Sequence, residues 1–312
     1  MSAASTDAAS DLRPMLGYVG VGLMGGPMVA RLIARGWSVR AFDLVPERLR
    51  AAVEAGAQAA VSPADAARGA GLVLLNLPTT DAVEEAVFGP EGVAAALAAP
   101  ARIVDFSTVE VERGRGFAAR LRAQTGCGWI DAPVSGGPPA SAAGTLTVMV
   151  GGEREDVAAA SVLWPEVAAR VTHMGPPGAG LAAKMINQLI VGCTHAVLAE
   201  AAVMAEAAGI DAARLPECLA GGHADGTLLQ RLYPRMVARD FAPQGYARQL
   251  LKDLELVGAF SGALKSPTPM AGQALSLYRM LIRLGHAELD TSAVMKLYEP
   301  PTGPHRDQEE TP

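Results

Sequence analysis

Six residues near the start of the chain, Gly20-Val21-Gly22-Leu23-Met24-Gly25, carry the spacing GxGxxG. The chemistry open to such a turn is the gripping of a phosphate. The first glycine permits the tight turn, the second lets a pyrophosphate come against the backbone, and the third lets the following helix pack on the preceding strand. The N–H groups that open that helix then face the anion. Taken alone, the motif marks only a β–α connection. Here an apolar run precedes it, a helical stretch ending at Gly36 follows it, and a second strand-like run ends in Asp43, eighteen residues beyond Gly25. An acid at that place accepts the hydroxyls of an adenosine ribose and repels a 2′-phosphate, which favours NAD. Arg40 and Arg48 are close enough in sequence to keep NADP possible.

A second group of residues is polar where its surroundings are not. Lys184 is flanked by Leu181, Ala182, Ala183, Met185 and Ile186, has no acid three or four residues away, and shares a helix face with Asn187 and Gln188. A lysine on a helix is ordinarily a solvated face residue, but a polar face on a buried helix needs partners, and a substrate can supply them. Ser135-Gly136-Gly137 follows an apolar run. Its consecutive N–H groups and hydroxyl can cradle a carboxylate, although in isolation the same residues read as an ordinary turn. Leu77-Pro78 and Ser107-Thr108 end two further apolar runs, at the sheet edge where ligands bind in a doubly wound fold. Lys252-Asp253 by itself reads as a helix-face charge pair of small energetic consequence. His195 lies eleven residues beyond Lys184, roughly 16 Å along a helix, too far to share a reaction centre with it.

These residues need a scaffold, and the pattern of the chain supplies two unlike halves. Up to about residue 175, β-branched runs at 15–19, 38–42, 72–77, 102–106, 129–134, 145–150 and 170–173 alternate with helical stretches at 24–35, 46–55, 80–88, 110–123 and 153–167. That alternation predicts a Rossmann-type, doubly wound, mostly parallel sheet over residues 14–176. Strand signals then stop. Residues 178–208 contain no proline and predict one long helix of about 45 Å, followed by helices at 212–219, 227–238, 249–262, 268–284 and 291–298. An all-helical domain is expected over 177–299 and a frayed, disordered tail over 300–312.

Composition narrows the classes. Half of the 312 residues are apolar and 19% are charged, so a large core can form. A net charge of −6 and only 4% aromatics argue against nucleic-acid partners. Three cysteines without a CxxC pair suggest reduced thiols and no metal site. The first ten residues lack a secretory pattern, and the polar residues Lys184, Asn187, Gln188, His195, Glu200 and Glu206 make the long helix read as too polar to span a bilayer, so the cytoplasm is expected.

The segments GYVGVGLMGGPM, DAPVSGGPPASAAGTLTVMVGG, GPPGAGLAAKMINQ and LKDLEL occur in this order, and together they resemble the β-hydroxyacid dehydrogenase family over residues 16–299. The family includes 3-hydroxyisobutyrate dehydrogenase and tartronate semialdehyde reductase. The resemblance implies an NAD-dependent oxidoreductase that interconverts a small 3-hydroxy carboxylate and its semialdehyde, working as a homodimer or homotetramer. It implies that Lys184 is catalytic, its ammonium protonating the carbonyl oxygen as hydride arrives. Either Asn187 or Gln188 would orient it, since many relatives have two asparagines there. Ser135, Gly136 and Gly137 would clamp the substrate carboxylate. Gly20, Gly22, Leu23, Met24, Gly25 and Asp43 would hold the dinucleotide, with Leu77, Pro78 and Thr108 at its nicotinamide half and Lys252 reaching over the ring. Relatives often carry proline where this chain has Val111. Two alternatives share the scaffold, an imine reductase and a catalytically silent nucleotide-binding protein. Both are associated with loss of the lysine that this chain retains.

Overall fold

The structure, a computed structural model, describes residues 13–299. The tail expected over 300–312 lies outside the described residues. In chain order the strands are β1 (Leu16–Val19), β2 (Val39–Phe42), β3 (Gln58–Ala59), β4 (Leu72–Leu75), β5 (Arg102–Asp105), β6 (Gly128–Asp131), β7 (Val134–Ser135), β8 (Leu146–Gly151) and β9 (Ala168–Gly175). The helices of the same region are α1 (Gly25–Ala34), α2 (Pro46–Glu54), α3 (Pro63–Ala67), α4 (Thr80–Phe88), α5 (Val111–Thr125), α6 (Gly137–Ala143), α7 (Arg154–Ala159) and α8 (Trp164–Val167). Beyond them come α9 (Ala179–Ala207), α10 (Leu215–Leu219), α11 (Thr227–Arg231), α12 (Tyr233–Val237), α13 (Ala247–Ala263), α14 (Pro269–Arg283) and a closing 3₁₀ segment, Thr291–Tyr298.

Nine strands form one sheet in the order β3-β2-β1-β4-β5-β6-β8-β7, with β9 on β8. β1 to β6 are parallel, and β1 is in register with both β2 and β4. Val73, Leu74 and Leu75 of β4 are buried without interruption, as a strand covered on both faces must be. After β6 the chain turns back alongside β8, with Asp131 opposite Gly151, Val134 opposite Val148 and Ser135 opposite Thr147, all antiparallel. The doubly wound, mostly parallel sheet is therefore present as expected, with an antiparallel extension.

Several elements differ from the sequence reading. The helix expected over 153–167 is two helices, the second opening at Trp164-Pro165, and that over 227–238 is likewise two, the second opening at Tyr233-Pro234. Proline fits a first helical turn and breaks an interior one, so each proline starts a new helix. α6 contains Pro138-Pro139, again in a first turn.

The described residues divide into two compact units, 13–189 with Glu255–Pro267, and Ile190–Leu254 with 268–299. The first has a core centred on Leu16, Tyr18, Met28, Leu32, Leu74 and Ile130. The second is helical and packs Leu198, Ala202, Tyr233, Met236, Leu254 and Tyr278 together. Within it His195 is buried, with its Nδ1 3.2 Å from the Tyr278 hydroxyl, which in turn donates to the Thr291 carbonyl at 2.7 Å. Because the phenol hydrogen is used there, His195 Nδ1 must be the donor to Tyr278. The expectation that α9 is too polar to span a bilayer does not hold by length and composition. Its scattered polar residues are outweighed by aliphatic ones, and an 18-residue window within it has mean hydropathy 1.5, enough for a membrane span. Its apolar side chains Leu198, Ala199 and Ala202 are used as core.

Candidate active site

The glycine turn lies between β1 and α1, and its three glycines do different work. Gly20 has φ +93, and a Cβ there would strike the Asn76 carbonyl. A Cβ on Gly25 would strike the Gly20 carbonyl and come within 3.1 Å of the Tyr18 ring. These two glycines let turn, strand and helix close on one another. Gly22 differs: a Cβ there would meet only the Arg48 guanidinium, at 3.6 Å. Met24, at the N-cap of α1, offers no side-chain acceptor to the first-turn amides. Open backbone at Gly22 beside an uncapped helix N-terminus fits a dinucleotide pyrophosphate. Met24 is also anchored from α6, where Ser141 Oγ donates to its carbonyl at 2.9 Å.

Asp43, just after β2, braces this turn. Its Oδ2 accepts from Val21 N and its Oδ1 from Val45 N, both at 2.8 Å. Each oxygen keeps a second lone pair for a ribose hydroxyl. The two arginines near it separate cleanly. Arg40 donates to the Asp65 and Arg68 carbonyls at 3.0 and 2.9 Å, whereas Arg48 lies beside Gly22.

Leu77 and Pro78 follow β4, and Thr108 follows β5, so with the glycine turn they line the carboxyl ends of three adjacent parallel strands. Ser107 ties two of these ends together, its hydroxyl accepting from Leu77 N at 2.9 Å while its own N–H donates to Asp105 Oδ1 at 2.9 Å.

The structure brings Lys184 to the segment that precedes the glycine pair Gly136-Gly137. Lys184 is 7% exposed, and its Nζ donates to the Val134 carbonyl at 2.8 Å. Val134 adjoins Ser135 at the end of β7, and Gly136 and Gly137 lead into α6. A carbonyl, unlike a carboxylate, holds an ammonium without competing for its proton. One turn further along α9, Asn187 Nδ2 donates to Gln188 Oε1 at 2.7 Å, with Gln188 buried and Asn187 half-buried. Lys252 lies on α13 in the second unit, with its Nζ 2.9 Å from Asp253 Oδ1.

Sequence reasoning passed over Asp131. It ends β6, is 1% exposed, and accepts from Gly178 N at 2.7 Å and Leu181 N at 2.9 Å, the amides that open α9. Its one sequence signal was an acid inside an otherwise apolar run.

Fold and site together define a protein with an NAD(P)-binding domain followed by a helical domain. Residues 15–175 match the family described as the NAD binding domain of 6-phosphogluconate dehydrogenase, and residues 178–298 that described as the NAD-binding domain of NADP-dependent 3-hydroxyisobutyrate dehydrogenase. Among curated proteins the chain is 36% identical to an NAD-dependent L-serine dehydrogenase of Pseudomonas aeruginosa, covering 92% of this chain and 99% of that one. It is 35% identical to a 3-hydroxyisobutyrate dehydrogenase of the same organism, covering 91% and 98%. Among solved structures, the Mycobacterium tuberculosis 3-hydroxyisobutyrate dehydrogenase with L-serine superposes with a TM-score of 0.83 at 30% identity, covering 93% of this chain and 100% of that one. The chain belongs to the β-hydroxyacid dehydrogenase family.

Proposed function

We propose that the protein oxidises a small 3-hydroxy carboxylate to its semialdehyde, or reduces the semialdehyde, with Lys184 handling the proton and NAD preferred over NADP. The observation that carries this reading is the 2.8 Å hydrogen bond from Lys184 Nζ to the carbonyl of Val134, next to Ser135-Gly136-Gly137. It sets a cation beside a run of backbone N–H groups and a hydroxyl, the complement of a molecule with a carboxylate at one end and a reacting oxygen near it. L-Serine and 3-hydroxyisobutyrate, the compounds in two relatives' names, both have that form.

A bound nicotinamide dinucleotide supplies the hydride acceptor or donor. The turn at Gly20, Gly22, Leu23, Met24 and Gly25 holds its pyrophosphate, Asp43 its ribose, and Leu77, Pro78 and Thr108 the nicotinamide half. Lys252 is assigned to the same cofactor on resemblance, and Lys252→Ala is expected to weaken its binding. Ser135 Oγ and the N–H groups of Gly136 and Gly137 fix the substrate carboxylate. In reduction the Lys184 ammonium gives its proton to the carbonyl oxygen, where negative charge grows. A cation there stabilises the transition state more than the ground state. In oxidation the neutral amine takes the alcohol proton. Either Asn187 or Gln188 orients the ammonium or binds the substrate oxygen, and the 2.7 Å hydrogen bond from Asn187 Nδ2 to Gln188 Oε1 ties the two amides together.

An aliphatic stripe, Ile186, Ile190, Val197 and Met204, stands exposed along α9 and supports a homodimer or homotetramer; the dehydrogenases among its relatives support a soluble, cytoplasmic protein. Light scattering on the purified chain tests that assembly. The functional test is Lys184→Ala, assayed by NADH absorbance on a panel of 3-hydroxy acids. Turnover is expected to fall by about 10²–10⁴-fold, the usual weight of a positioned proton donor, with NADH affinity unchanged. Near-normal turnover overturns the assignment. A flat trace for the unmodified protein across the panel, with tight NADH binding, favours a silent nucleotide-binding scaffold.

A further inference from the structure

Asp131 and Val134 lie three residues apart on the strand segment that returns along β8, and both hold α9. The Asp131 carboxylate takes the amides of Gly178 and Leu181 at 2.7 and 2.9 Å, and the Val134 carbonyl takes Lys184 Nζ at 2.8 Å, three residues after Leu181. The contact between segment and helix is close throughout. A Cβ on Gly180 would come within 2.7 Å of the Asp131 carbonyl oxygen, and one on Gly151, at the end of β8, within 2.6 Å of both the Asp131 carboxylate and Gly180 N. The first amides of a helix have no partner inside it, so a buried acceptor there fixes where the helix begins. A helix advances 1.5 Å and turns about 100° per residue, whereas a hydrogen bond tolerates only a few tenths of an ångström, so the start of α9 decides whether Lys184 meets its carbonyl.

We propose that Asp131 is the positioning residue for Lys184: by capping α9 from the strand that leads to Ser135, it makes the proton donor and the carboxylate clamp one rigid piece. This rests on the reading of Lys184 as the proton donor. Burial pushes the Asp131 carboxyl up, against the pull of the Gly178 and Leu181 amides. The carboxylate thus sits in its place because those amides hold it, and they are held in return.

The test compares Asp131→Asn, Lys184→Ala and the double variant, with kcat expressed per dinucleotide-binding site counted by NADH fluorescence titration. Asp131→Asn keeps the shape but turns one acceptor into a donor facing an N–H. The kcat per site is expected to fall by about 10²-fold, the effect of an ångström-scale misplacement, with the NADH Kd within about twofold of the unmodified protein. A purely structural role would lower the number of binding sites and leave kcat per site unchanged, which overturns the proposal. The double variant is expected to be no slower than Lys184→Ala alone, because the capping residue acts through the lysine, and additive losses also overturn it. Should Asp131→Asn fail to fold, Asp131→Glu keeps the charge and both acceptors but is one methylene longer, and it carries the same expectations. Normal turnover in Lys184→Ala sinks the catalytic assignment, whereas collapse there with unchanged kcat per site in the Asp131 variant sinks the positioning role alone.

Discussion

Asp131 in the first unit and Asp290 in the second are equally buried, each 1% exposed, yet they are held differently. Asp290 accepts from the backbone amides of Gln244, Gly245 and Ser292 at 2.7, 3.1 and 3.0 Å, and the Arg235 guanidinium lies 3.1 Å from its Oδ1. Burial works to raise its pKa, but the Ser292 and Gln244 hydrogen bonds and the charge of Arg235 bring it below the usual carboxylate value. Asp131 is held by the amides that open α9, and there burial prevails and the pKa is raised. The difference separates a lock from a fixture. The second unit neutralises its buried acid to pin a loop, and the first uses its acid to fix the start of the helix that carries Lys184.

The largest expected effect in this comparison is on stability. Asp290→Ala leaves three amides without an acceptor and Arg235 with the exposed Asp240 as its remaining ionic partner among the described residues. It should cost about 3–5 kcal/mol in urea unfolding, most of it from the orphaned amides. A loss under about 1 kcal/mol, the weight of an exposed ion pair, would show that the second unit does not depend on that lock.

The next effect is pH dependence in the same unit. Burial lowers the His195 pKa to about 4, with Asp290 pulling weakly the other way. A histidine whose folded pKa lies below its unfolded one of 6.5 is kept neutral by folding. Its contribution is therefore whole above pH 6.5 and lost as the pH falls towards 4, by about 3 kcal/mol in all. Unfolding of the unmodified protein and of His195→Leu, compared at pH 7 and pH 4.5, should show the unmodified protein losing more. Parallel losses would mean that His195 is not buried neutral.

The smallest effect concerns a third acid, Asp43, which resembles Asp131 in bracing backbone amides but is only half-buried. On the proposed seating of the ribose at Asp43, Asp43→Asn would remove a charge that repels a 2′-phosphate while Arg48 stays beside Gly22. The ratio of NADP to NAD affinity should rise by about tenfold, equivalent to about 1.4 kcal/mol. An unchanged ratio would show that Asp43 is purely a brace.

Much of this architecture was legible in the residue order because it follows from local physics. Runs such as Leu72–Leu75 are apolar at successive positions only where a strand is covered on both faces, and Gly20, Gly22 and Gly25 sit where a strand must turn sharply into a helix. The prolines that open α8 and α12 were harder, since the same residue can end one helix or begin the next. The sequence by itself determined the sheet-then-helix order, the glycine turn between strand and helix and the isolated polar face of Lys184, Asn187 and Gln188, because periodicity and backbone sterics act over a few residues. Only the tertiary structure decided that Lys184 meets Val134, fifty positions earlier, that Asp131 caps α9, and that Arg48 rather than Arg40 stands beside Gly22. Such pairings depend on where buried donors and acceptors come to rest once the chain has closed on itself, and no spacing along the chain encodes that.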